Sequence, residues 1–144
     1  MHAWLCENPV GVEALVWKEL PVPEPKAGEV RVAIRAASLN FPDLLIVQNK
    51  YQMKPPLPFV PGSEYAGVIE AVGEGVTNVK VGDAVASCGG TGGFATHAIA
   101  QAATLMPLPP EFEFDDAAAF VLTYATTHHD LLDRAELKAG ETVL

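Results

Sequence analysis

Two polar side chains in the first half of the sequence could polarise a carbonyl. Asn40 carries an amide, and Tyr51 carries a phenol that stays protonated near neutral pH. Held in place, either group could donate a hydrogen bond to an oxygen that gains charge during a reaction. Each also has a plain structural role open to it. Asn40 precedes Phe41-Pro42-Asp43 and suits a helix cap. Tyr51 follows Asn49-Lys50 and could cover the core. His128 and His129 are tempting as acid–base groups, but adjacent residues of a helix point in different directions, so they read as structural or solvent-facing. Cys6 and Cys88 form no Cys-x-x-Cys pair and make no disulfide framework.

The elements that must position these groups follow from periodicity and punctuation. Val12 to Leu20 is rich in apolar residues and is stopped by Pro21, Pro23 and Pro25, each of which removes a ladder donor. Glu29 to Ala37 alternates with a period of two, with Val30, Val32, Ile34 and Ala36 on one face, which predicts a half-buried strand. A short helix is expected from Pro42 to Gln48, then a stiff proline-rich crossing through Pro55, Pro56, Pro58 and Pro61. Further strands are expected at Glu64 to Val72, Ala84 to Ser87 and Phe94 to Ala100, with turns at Gly73-Glu74-Gly75 and Val81-Gly82-Asp83. From Glu113 the character turns helical. One helix is expected at Asp115 to Phe120, with acids in its first turn, and a second at Leu122 to Leu137. Lys138-Ala139-Gly140 ends the second helix, and Thr142-Val143-Leu144 begins a strand.

Bulk composition narrows the function classes. The chain has 144 residues, 49% of them hydrophobic, enough for one domain with a real core. The formal net charge is -9, from nine basic and eighteen acidic residues, which suits neither nucleic acid nor an anionic membrane surface. There is no signal-peptide pattern and no apolar run of spanning length, so a reducing, cytoplasmic setting is expected.

In order, the chain shows ASLNFPDLL, NKY, PFVPGSEYAGVIEAVGEGV, VGDAVA, GGFATHAIA and LKAGETVL. This set resembles the GroES-like catalytic domain of the medium-chain dehydrogenases and reductases, in the quinone oxidoreductase branch. The resemblance implies a mainly β fold with a few helices. That fold is an irregular GroES-like β-barrel over residues 1–121, followed by a helix and strand over 122–144 that lead into a Rossmann nucleotide-binding domain. It also implies NADPH as cofactor, a quinone or an α,β-unsaturated carbonyl as small-molecule acceptor, and a homo-oligomer for the complete protein. An enoyl-thioester reductase is the related alternative. A non-catalytic binding or assembly module is the alternative from another class, since the fold does not by itself imply catalysis.

The resemblance also bears on the metal. In zinc-dependent relatives the ligands fall at positions matching Asn40, Ser63 and Leu122, and here none of the three is a good zinc ligand. No zinc is expected. Glu64 stands where those relatives keep a glutamate, and a turn-fixing hydrogen bond is its plain role. The resemblance makes Tyr51 the substrate-orienting donor and proton source, and Asn40 a nicotinamide or substrate contact. Thr126, or its neighbour Thr127, would contact the nicotinamide, unless its hydroxyl bonds its own helix. Gly89 to Gly93 leads into another strand rather than a helix, so it lacks the context of a dinucleotide fingerprint. The chain alone is expected to have little activity, with the nucleotide half of its site lying outside these residues.

Overall fold

The structure is a computed structural model and describes residues 1–143. Strand β1 (His2–Cys6) pairs antiparallel with β2 (Leu15–Glu19) in a two-stranded ribbon, after a short 3₁₀ turn at Val12–Ala14. The main sheet comprises β3 (Glu29–Ala37), β4 (Glu64–Val72), β5 (Ala84–Cys88), β6 (His97–Gln101) and β7 (Met106–Pro107), in the order β6-β3-β4-β5-β7. Helix α1 (Phe41–Val47) connects β3 towards β4, and α2 (Phe114–His128) follows β7.

The expected β3 and β4 form with the bounds that alternation suggested. Their pairing is close. At Gly67, which opposes Ile34, an added Cβ would collide with the Ala33 carbonyl oxygen. β3 is irregular beside this point, with register shifts at Arg31/Val32 and Ile34/Ala36 that bend it. The proline run is pinned alongside: Arg31 Nη1 donates to the Pro23 carbonyl at 3.1 Å and to Glu24 at 3.0 Å.

The sheet has apolar packing on two faces. On one, Val30, Val32, Tyr65, Ile69 and Val85 join Leu105 in the largest cluster. On the other, Ala66 and Ala86 meet Ala117 and Ala118 of α2, small side chains that let the helix come close to the strands. A third cluster, Cys6, Ile46 and Phe59, seats α1 against the ribbon, with Leu15 and Tyr51 at its edge.

The fold differs from expectation in three respects. Among the described residues the strands close no barrel: ribbon and sheet stay separate and touch through isolated bridges at Ala3–Ala95 and Cys6–Phe59. Closure depends on pairing between strands far apart in sequence, and local alternation carries no information about it. The two helices expected after Glu113 are one. Phe114–His128 contains neither glycine nor proline and runs without a break across Val121 and Leu122, continuing as a π-helical turn at His129–Arg134. The strand expected at the end does not form at Thr142 and Val143, while Leu144 lies outside the described residues. No helix among the described residues is long and apolar enough to cross a membrane.

Candidate functional site

The polar centre of the fold is Glu64, the first residue of β4, whose exposure is 0%. Its carboxylate collects three hydrogen bonds from elements distant in sequence. Ser38 Oγ donates to Oε2 at 2.7 Å, Asn40 Nδ2 donates to Oε2 at 3.1 Å, and the Leu122 backbone N–H donates to Oε1 at 2.8 Å. Every partner is a donor, the pattern of an ionised carboxylate. Glu64 thereby ties the end of β3, the entrance to α1 and the middle of α2 to one another. In the sequence it stood out as an acid at the start of an apolar strand, where the resemblance keeps a glutamate and a turn-fixing hydrogen bond was its plain role. Its partners lie 26, 24 and 58 positions away, beyond the reach of any local signal.

Asn40 caps α1, as its position before Phe41-Pro42-Asp43 suggested. Its N–H donates to Asp43 Oδ2 at 3.0 Å, and the Asp43 N–H returns to the Asn40 carbonyl at 3.0 Å. Nδ2 also donates to Ser38 Oγ at 2.8 Å. Ser38 Oγ and Glu64 Oε2 lie 2.7 Å apart on the same side of Nδ2, so the amide nitrogen faces the carboxylate and the amide oxygen faces away from it. The amide nitrogen of Asn40 is therefore engaged internally, and its oxygen side closes the capping box with the Asp43 N–H.

Asp43 is buried, and its Oδ1 lacks a hydrogen-bond partner, as does the buried Ser63 Oγ. Cys88 opposes Glu64 across the β4–β5 ladder. Burial pushes its thiol above the ordinary cysteine range, and the charges of Glu64 and then Asp43 push it further. A pocket of about 220 Å³ opens beside this cluster, lined by Asn40 and Asp43 and walled by Leu39, Leu44, Val47 and Phe94. It shares Leu39 and Phe94 with a larger groove of about 590 Å³.

The other expected site residues fall elsewhere. Tyr51 lies beyond the far end of α1, half-buried against Cys6, Ile46 and Phe59, and is not among the partners of Glu64. The seven residues of α1 separate it from Asn40, about 10 Å of helix. Thr126 follows Leu122 by one helical turn on the same face of α2, and its exposed hydroxyl forms no hydrogen bond among the described residues. Thr127 Oγ1 donates instead to the Thr123 carbonyl at 2.9 Å. His128 and His129 are both exposed, and His129 Nδ1 meets Asp133 Oδ2 at 3.0 Å. The Gly89 to Gly93 turn leads to β6, with no helix after it.

Sequence reasoning also missed an apolar groove of about 710 Å³ along α2. Phe120 and Tyr124 stack there at 4.4 Å, and Phe112 meets Phe120 edge-on at 5.6 Å. The spacing of Phe120 and Tyr124, four residues apart in an uninterrupted helix, was the available signal.

Residues 26–110 match the alcohol dehydrogenase GroES-like domain. The chain belongs to the medium-chain dehydrogenase/reductase superfamily, among its quinone oxidoreductase-like members. It is 37% identical to the quinone oxidoreductase-like protein 2 homolog of Nematostella vectensis, over 99% of this chain and 39% of that protein. It is 39% identical to human quinone oxidoreductase, over 88% of this chain and 39% of that protein. The structure of mycobacterial Rv1454c complexed with NADPH superposes with a TM-score of 0.91 at 33% identity, covering 98% of this chain and 44% of that one. The chain thus spans about two fifths of the length of the relatives it matches.

Proposed function

We propose that this chain is the substrate-side part of a zinc-independent, NADPH-dependent oxidoreductase that passes a hydride to a quinone or an α,β-unsaturated carbonyl. The observation that carries the reading is the junction at Glu64. Of Asn40, Ser63 and Leu122, the positions where the family resemblance puts zinc ligands, Asn40 and Leu122 meet at Glu64, and Ser63 precedes it with a buried hydroxyl that has no hydrogen-bond partner. The amide and the Leu122 backbone turn their N–H groups towards the carboxylate. Zinc takes thiolate, imidazole or carboxylate ligands, and this donor set does not fit it.

When bound, NADPH supplies the hydride. The chain's own residues bind and orient. Asn40, which lines the small pocket, turns its amide oxygen away from Glu64 as an acceptor, and Thr126 presents an unbonded hydroxyl one turn along α2 from the Glu64 anchor. Thr127 is the weaker candidate of the pair, because its hydroxyl is occupied by its own helix. Leu39, Leu44, Val47 and Phe94 give the small pocket apolar walls suited to the face of a ring. Tyr51 lines neither the small pocket nor the adjoining groove, so its role as proton donor to the acceptor's oxygen puts that oxygen at the far end of α1 from Asn40.

Residues 1–121 form the substrate side and 122–144 lead to the nucleotide side. The remainder of the nucleotide site lies outside these residues. A small electrophile is the partner, in a cytoplasmic setting, with the intact protein a homo-oligomer. Titration with NADPH and with NADH, followed by nucleotide fluorescence, tests the reading. The intact protein should saturate with NADPH, and the 144-residue chain alone should bind neither nucleotide at millimolar concentration. Saturable binding by the chain alone would overturn the split-site placement.

A further inference from the structure

The two ends of an asparagine amide have nearly the same shape and opposite polarity, so its neighbours decide which end meets a ligand. Around Asn40 that decision is made by Ser38, Glu64 and the Asp43 N–H. Ser38 Oγ spends its only hydrogen on Glu64 Oε2 at 2.7 Å, so towards Asn40 it can act only as an acceptor. Glu64 has acceptors alone, and both its oxygens are engaged. Every hydrogen bond in the cluster therefore runs towards the carboxylate. Asn40 Nδ2 must face inward to Ser38 and Glu64, which turns Oδ1 to the other side, towards the Asp43 N–H of the capping box and the pocket that both residues line.

We infer that Glu64 is a positioning residue that fixes the polarity of Asn40, presenting an acceptor that selects a ring substituent bearing an N–H, as the carboxamide of nicotinamide does. The inference rests on the proposed meeting of Asn40 with the nicotinamide, and it adds a source of selectivity to it. A ring whose substituent carries only a carbonyl would place acceptor against acceptor. The same carboxylate holds the Leu122 N–H, so it also sets where Thr126 stands relative to Asn40.

Glu64→Gln tests this in the intact protein. The introduced amide has one donor end. With its oxygen kept on the Leu122 N–H, its nitrogen would meet the nitrogen of Asn40. Turning Asn40 over relieves that clash, gives up the side chain's acceptance from the Asp43 N–H, and swings a donor outward. Calorimetry gives dissociation constants for NADP⁺ and for its 3-acetylpyridine analogue, which keeps the carbonyl and lacks the amide N–H. The unaltered protein should prefer NADP⁺ by about tenfold, the worth of one hydrogen bond. Glu64→Gln should bring the ratio to about one or below, while a purely structural role would weaken both ligands by the same factor and leave the ratio intact. An intact ratio would overturn the inference, as would no preference in the unaltered protein. Should Glu64→Gln not fold, Asn40→Ala carries the test. It leaves the carboxylate in place and must also abolish the preference, and a preserved ratio refutes the idea. Failure of the unaltered protein to bind either nucleotide would instead strike at the proposed function.

Discussion

Replacing Glu64 with alanine is the sharpest perturbation of the fold's polar centre. The change removes the acceptor of three hydrogen bonds, from Ser38 Oγ at 2.7 Å, Asn40 Nδ2 at 3.1 Å and the Leu122 N–H at 2.8 Å. Bonds to a charged acceptor contribute about 1.5–3 kcal/mol each. Against that loss, the folded protein no longer buries an anion, and the desolvation penalty it escapes is itself several kcal/mol. The Ser38 hydroxyl, the Leu122 N–H and one Asn40 hydrogen are left without the partner they had, in a partly buried site. The net effect should be a loss of about 3 kcal/mol, because stranding buried donors costs more than the released desolvation returns. With a urea m-value of about 2 kcal/mol/M, the midpoint of unfolding should fall by about 1.5 M. Circular dichroism of the chain in urea measures it. A loss below about 1 kcal/mol would show that the carboxylate does not hold the three elements together, and the account of the site would fail with it.

Other outcomes follow from the same geometry. Gly67→Ala should destabilise by about 1–3 kcal/mol, because a methyl at β4 meets the Ala33 carbonyl of β3, and an unchanged urea midpoint would show the strands to be less closely paired. Cys88 holds its proton more tightly folded than unfolded, so its contribution to stability is present at neutral pH and is lost as pH rises through the folded-state value. Iodoacetamide labelling of Cys88, mapped by mass spectrometry, should therefore be slower folded than in urea at neutral pH. The gap should narrow in the alkaline range, and equal rates at neutral pH would refute the shift. Glu64→Gln should speed folded-state labelling by removing one of the negative charges. Tyr51→Phe in the intact protein should lower kcat with a quinone by about 10²-fold if the phenol delivers the proton, and an unchanged kcat would return Tyr51 to a packing role against Phe59.

What could be read from the sequence was local. The alternation of Glu29 to Ala37 and the apolar run from Glu64 to Val72 gave both central strands, and Asn40 with Pro42 marked the start of α1. Each depends on neighbours a few residues apart. The break expected between Phe120 and Leu122 was an error of the same local kind: no helix breaker stands there, and alanines and large apolar residues carry the helix through. Barrel closure and the Glu64 junction depend on contacts between distant segments. Sequence pattern nominated Asn40 and Glu64 separately, but only the fold showed that they touch, and with that contact the free end of the amide changed from donor to acceptor. Tyr51 and Asn40 were nominated together, and the fold places them at opposite ends of α1.

The central claim is metal-independent hydride transfer from NADPH, and one assay reaches it directly. The intact protein, treated with a zinc chelator and freed of it by dialysis, is mixed with NADPH and a simple quinone, and nucleotide and hydroquinone are followed together. The account predicts one hydroquinone formed per NADPH oxidised, at a rate that neither chelation nor added zinc changes. No turnover, or activity lost on chelation and restored by zinc, would contradict it.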